Sequence, residues 1–260
     1  MKTEITSFNM SASSLGMFEE CRRKWAHSAL YKSSRDEVEQ RPFKIGTAMH
    51  ALIENFYLLE KFDKQWLFDN WERYYAKELV NITHREEDIE IGYEALHNLY
   101  SILKRHDWLQ PAWKVGKMNG VECYFKFPFQ GHDKYVVNLS GKIDLLLKRK
   151  DAICVIDWKT GKNVKYQVDD LSESIQLILY SIALKKMFDV EHEKLFLVYF
   201  YADKVKEFEV TNEHFQIVKQ KVNNFLDVYH TKKFAKTVSW TCNRCEFRSV
   251  CQGKTGSIML

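Results

Sequence analysis

The strongest constraint on this chain lies in residues 141–161, where carboxylates interrupt apolar runs. Asp144 sits on one run, and Asp157 and Lys159 close the next. The polar Lys148-Arg149-Lys150-Asp151 between them predicts an antiparallel hairpin of largely buried strands. A carboxylate inside such a strand costs several kcal/mol unless something pairs with it. Positions 157 and 159 are two apart and share one strand face, and Asp144 can meet them from the neighbouring strand. Two carboxylates and an ammonium in one place suit a divalent cation and phosphodiester hydrolysis.

At 260 residues, 45% apolar and 14% aromatic, the chain can bury a substantial core and is not disordered. Three prolines and ten glycines predict long regular elements with few linkers. A net charge of +4 permits a nucleic-acid partner without requiring one. Arg22-Arg23-Lys24, Lys148-Arg149-Lys150 and the lysines between Lys159 and Lys165 concentrate that charge locally. Met1–Met10 lacks a signal-peptide core, and runs such as Leu195–Ala202 are too short to cross a bilayer. The expectation is a soluble cytoplasmic protein with no membrane partner. Six cysteines in a reducing compartment read as thiols or metal ligands rather than disulfides.

Apolar spacing predicts helices at 11–31 (opened by Ser11, Ser13 and Ser14 as capping residues), 43–60, 64–80 and 86–108. Strands follow at 121–129, 135–147 and 152–158, then a helix at 170–188, strands at 195–201 and 205–210, and a helix at 212–230. The tail is irregular and carries cysteines. This order predicts an α/β fold, a sheet sandwiched by helices.

Gly141-x-x-Asp144, Asp157-x-Lys159 and Gln176-x-x-x-Tyr180, preceded by Gly46-Thr47-Ala48-Met49-His50, resemble the PD-(D/E)XK nuclease superfamily, specifically its RecB-like branch. The resemblance covers about residues 43–201 with its motifs in order. It implies a restriction-endonuclease-like central mixed sheet flanked by helices over 43–210, with a helical insertion at about 63–110. A helical segment, 1–42, precedes this core, and a helix and tail, 211–260, follow it. His50, Asp144, Asp157 and the Trp158 carbonyl would then hold Mg²⁺ or Mn²⁺. Lys159 would orient or deprotonate the attacking water, or neutralise the phosphorane. Gln176 and Tyr180, four apart on one helix face, would hold the lysine or the strand. Thr160, Gly161 and Lys162 would meet substrate phosphates. Taken singly, His50 reads as a core histidine, Asp157–Lys159 as a structural ion pair and Gln176 as helix surface; the ordered set outweighs those readings. Glu122 is an additional candidate acid.

Cys21, with Ser11 to Trp25 around it, and Trp240-x-Cys242-x-x-Cys245-x-Phe247-x-x-x-Cys251 resemble the iron–sulfur members of that branch, the CRISPR-associated exonucleases and AddB-type nucleases. The resemblance implies a [4Fe–4S] cluster on Cys21, Cys242, Cys245 and Cys251 that staples the first helix to the tail. From the residues alone, four thiolates can hold zinc as well. Cys123 and Cys154, inside apolar strands, read as core residues. Gly253-Lys254-Thr255 imitates the end of a P-loop, but Arg248 stands where that motif needs glycine.

The expected activity is a metal-dependent DNA exonuclease acting on single strands or duplex ends and leaving a 5′-phosphate. By analogy it serves recombination, repair or CRISPR adaptation in a prokaryotic or phage-infected cell, beside a helicase or recombination partner. Trp25, Trp71 and Trp113 are candidates for stacking on bases. A catalytically silent DNA-end-binding subunit and a zinc-stabilised interaction protein are the alternatives.

Overall fold

The computed structural model describes residues 6–38, 41–59, 62–79, 84–109, 112–115, 118–132, 135–150, 152–160, 168–188, 190, 193–200 and 202–252. The elements are β1 (Thr6–Met10), α1 (Ala12–Glu20), α2 (Arg22–Ala29), α3 (Arg41–Leu59), α4 (Lys64–Glu78), α5 (Arg85–Arg105), β2 (Lys114–Val115), β3 (Met118–Asn119), β4 (Val121–His132) and β5 (Tyr135–Arg149). Then come β6 (Ala152–Lys159), α6 (Ile175–Phe188), β7 (Glu193–Tyr199), β8 (Lys204–Phe208), α7 (Asn212–Thr231) and α8 (Arg248–Gln252). Contacts divide the chain into one unit of Met1–Glu39, Lys126–Gly141 and Asn212–Leu260, and another of Gln40–Phe125 and Lys142–Thr211.

In the first unit, β1 runs parallel to the start of β5, with Thr6 opposite Tyr135 and Met10 opposite Leu139. Phe8 on β1 meets Phe225 and Tyr229 of α7 edge-on, and Phe225 also contacts Phe18 and Trp25. Ser11 caps α1 by accepting from the Ser14 amide at 3.1 Å. The single helix expected at 11–31 is two. Cys21 takes extended dihedrals (φ −158°, ψ 109°), ending α1 and starting α2. Its amide still donates to Met17 O at 3.0 Å and its carbonyl accepts from Trp25 N at 3.1 Å. The break is flanked on both sides by these bonds, and Arg23 N donates to Ala235 O instead of continuing the helix, so helical spacing carries no trace of it.

In the second unit the predicted hairpin forms: β5 and β6 pair antiparallel from Leu145 opposite Ile156 to Arg149 opposite Ala152. Strand β7 joins β6 in parallel and β8 joins β7 antiparallel, making the sheet mixed. Leu145, Leu147, Cys154, Ile156, Trp158, Phe196 and Val198 share one core with residues of α3, α4 and α5. Alternation turns Leu146, Val155, Leu195 and Leu197, all fully buried, to the opposite face, where α6 packs on β6 and β7. Burial on both faces explains the nearly unbroken apolar runs.

The base-stacking expectation fails for two rings. Trp71 is fully buried in the second unit and Trp25 nearly so in the first. Gly92 makes room for Trp71, since a Cβ there would lie 2.0 Å from the indole, whose N–H donates to Ile89 O at 3.1 Å. Asp88, fully buried on α5, receives Arg41 of α3 at 2.6–3.0 Å and the Tyr75 hydroxyl of α4 at 2.9 Å. This ion pair pins the three helices together. The helix expected at 170–188 begins at Ile175, after a 3-10 turn over Leu171–Glu173 that Asp170 caps. Among the described residues, no helix is long and apolar enough to cross a membrane.

Candidate active site

One residue past the Leu145–Ile156 pair, the ladder brings Asp144 opposite Asp157, so their side chains share a sheet face. Asp157 is 1% exposed, and the Asp144 side chain 12%. Burial, reinforced by the Asp157 carboxylate, holds the Asp144 carboxyl well above the usual carboxylate range. The Trp158 amide, donating to Asp144 Oδ2 at 2.9 Å, acts in the opposite direction. Asp157 Oδ2 is buried and accepts no hydrogen bond, although Lys159 Nζ lies 2.5 Å away. A desolvated carboxylate facing a second carboxylate, with one ammonium for the two acids, offers the oxygen donors that suit a hard divalent cation.

Helix α3 brings His50 to this pair, with Nδ1 3.6 Å from Asp144 Oδ2. Burial keeps the imidazole pKa below its ordinary value, against the pull of Asp157 and Glu122. The ring is therefore neutral near pH 7, the form that ligates metals. The helix approaches the strand end closely: a Cβ on Gly46 would lie 2.9 Å from Thr160 Oγ1. Among the described residues, no group of three or more His, Cys, Asp or Glu is gathered closely enough to hold a metal ion. The fit thus rests on donor type and on the burial of the Asp157 carboxylate opposite Asp144.

Helix α6 supplies a relay. Lys159 Nζ donates to Gln176 Oε1 at 3.0 Å, and Gln176 Nε2 donates to the Tyr180 hydroxyl at 2.6 Å. Burial raises the Tyr180 pKa, so the phenol stays neutral. Trp158 turns to the other face, against Tyr57 and Phe200, and its backbone is engaged with the His50 ring.

Glu122 on β4 adopts φ 48°, a left-handed conformation rare for a side chain of this size. Its charge raises the pKa of His50, Asp144 and Tyr180 alike, so it faces the same site. Lys142 Nζ lies 3.3 Å from Glu122 Oε2, a partner that sequence reasoning missed. Its place inside Gly141-x-x-Asp144 was the available signal. Thr160 follows β6 directly, whereas Gly161 and Lys162 lie outside the described residues.

In the first unit, Cys21, Cys242, Cys245 and Cys251, all free thiols, line one cavity of about 170 Å³. The Thr237 amide donates to Cys21 Sγ at 3.5 Å, and Cys242 Sγ donates to Thr237 O at 3.7 Å. Burial raises the Cys245 pKa, and nearby Cys21 and Cys251 act in the same direction. Cys123 and Cys154 are buried in their strands, which pushes the Cys154 thiol up to about 11.

The family model described as the PD-(D/E)XK nuclease superfamily matches residues 9–252. A solved structure of SSO0001 is similar over 95% of this chain and 87% of that chain, at 17% identity and a TM-score of 0.44. No curated protein matches the chain.

Proposed function

The chain belongs to the PD-(D/E)XK nuclease superfamily, and on that footing we propose a divalent-metal-dependent DNA exonuclease acting on single strands or duplex ends. The observation that carries the proposal is the buried Asp157 carboxylate opposite Asp144, with the Lys159 ammonium beside it. His50, Asp144 and Asp157 would hold Mg²⁺ or Mn²⁺, with the Trp158 carbonyl and Glu122 as further oxygen donors. The cation, when bound, offsets negative charge on the scissile phosphate and makes water a better nucleophile at neutral pH.

The remaining work belongs to side chains. Lys159 offers its ammonium to the phosphate or the attacking water, and the Gln176–Tyr180 relay fixes where that ammonium points. Thr160, Gly161 and Lys162, which follow Lys159 in sequence, would meet neighbouring phosphates. Water forms the new P–O bond while the P–O3′ bond breaks, giving a 5′-phosphate on one product and a 3′-hydroxyl on the other.

The cysteine cavity takes a structural [4Fe–4S] cluster in this reading. Four free thiols from both ends of the first unit line that cavity, although among the described residues they are not gathered closely enough to hold a metal ion, and the shared lining is what supports a staple between the α1–α2 junction and the tail. The nuclease core is residues 43–210, and cleavage serves recombination, repair or CRISPR adaptation in the cytoplasm beside a helicase or recombination partner.

Oligonucleotides labelled at either end test this activity. Mg²⁺ should yield a ladder growing from one terminus with 5′-phosphorylated products. Internal cuts without end dependence would replace the exonuclease with an endonuclease.

A further inference from the structure

A second cavity in the first unit, about 280 Å³, is lined by Arg23, His27, Tyr31, Lys232, Lys233, Phe234 and Ala235. It contains three permanent cations and no carboxylate. Arg23 comes from the first turn of α2, while Lys232 and Lys233 follow the last turn of α7. Cations after a helix C-terminus are ordinary, because the helix dipole favours them there. Arg23 is not, because it adds positive charge to the positive end of α2, whose first turn has no acidic residue.

The local bonds hold this arrangement open. Arg23 donates from Nε to Phe234 O and from its amide to Ala235 O, both at 3.2 Å, so those carbonyls are occupied. Lys232 Nζ lies over the Tyr229 ring at 3.8 Å, a contact that leaves its charge unneutralised. Among the described residues, neither lysine nor Arg23 has a carboxylate partner. Tyr31 adds a ring to the wall, and three cations around one cavity with no carboxylate among its lining residues suit a phosphate.

We propose that this cavity is a phosphate-binding site that grips the backbone of a single DNA strand. Choosing DNA over another phosphate bearer rests on the nuclease reading; the demand for an anion does not. Arg23 and the two lysines would take one or two phosphodiesters, and Tyr31 gives a base a surface to stack on.

The test is fluorescence anisotropy of a labelled single-stranded oligonucleotide with the full chain in chelator, so that binding is read without cleavage. The variant is Lys232→Asn/Lys233→Gln; asparagine suits position 232, where φ is 55°. Lys104→Gln/Lys186→Gln removes equal charge from exposed sites elsewhere. The proposal expects the first variant to bind about tenfold more weakly at low salt, with the log–log salt slope reduced by about one to two for the two cations removed, and the second to bind as the parent does. Equal affinity and slope in all three would overturn it. Inorganic phosphate and dAMP, titrated as competitors, distinguish the sources. Dependence on the lysine pair for these small ligands alone would overturn the strand reading in favour of a free nucleotide. Cleavage in Mg²⁺ is measured on the same preparations. Pair-dependent binding without cleavage would sustain this site while removing the nuclease, and cleavage with pair-independent binding would do the reverse.

Discussion

Asp144 and Asp157 face each other at the end of the β5–β6 ladder, where like charges directly opposed are unfavourable. Of the two acids Lys159 meets only Asp157, so without a divalent cation Asp144 opposes folding when it is ionised. Because the Asp144 pKa is raised, the folded protein binds that proton more tightly than the unfolded chain does. Its contribution is present in acid and is lost as pH rises through the folded value. Asp144→Asn should therefore raise the Tm of the metal-free protein by a few degrees at neutral pH, with the gap closing as pH falls. Mg²⁺ should raise the Tm of the wild type and leave the variant unmoved; calorimetry reads both.

Gly46 is the place where α3 passes the end of β6. Alanine there gains about 0.5–1 kcal/mol of helix propensity but sets its Cβ 2.9 Å from Thr160 Oγ1. Gly46→Ala should keep its Tm within a few degrees and lose about tenfold or more in kcat, because His50 moves with the helix. Unchanged kcat would show that the site tolerates the displacement.

Arg41 compensates Asp88, which is fully buried. Arg41→Ala should cost about 3 kcal/mol, chiefly through the stranded carboxylate, whereas replacing both residues with apolar side chains should cost much less. Urea unfolding of the two variants measures the difference.

The hairpin and its acidic pair were legible in the sequence for one physical reason: both sheet faces are buried, so Asp144 and Asp157 stand out against apolar neighbours. Two-residue spacing likewise places Lys159 beside Asp157, as found. The break at Cys21 left no sign because one residue in extended dihedrals joins two helices of similar apolar spacing, and the Arg23 amide finds its acceptor, Ala235 O, more than two hundred residues away. Strand β1 was invisible, being short, mostly exposed and paired with residues from 135 onward. The Arg41–Asp88–Tyr75 link depends on three helices meeting, which no local pattern encodes. Burial of Trp25 and Trp71 reversed the stacking expectation, since helical spacing of aromatics describes a core equally well.

The four thiols of the first unit make a separate prediction. Protein purified without oxygen should contain iron and acid-labile sulfide with visible charge-transfer absorption, and Cys245→Ser should lose both together with thermal stability. A colourless protein carrying stoichiometric zinc would assign the same thiols to a different metal.

The proposed nuclease requires Asp157 and its neighbours to act as a metal-dependent cutting site. Its most direct test is degradation of end-labelled single-stranded DNA by wild type and Asp157→Ala, each with Mg²⁺, with Mn²⁺ and with chelator. The account predicts rapid loss of label for the wild type with metal only, and a drop of about a hundredfold or more in the variant. Cleavage that persists in Asp157→Ala or in chelator would contradict it.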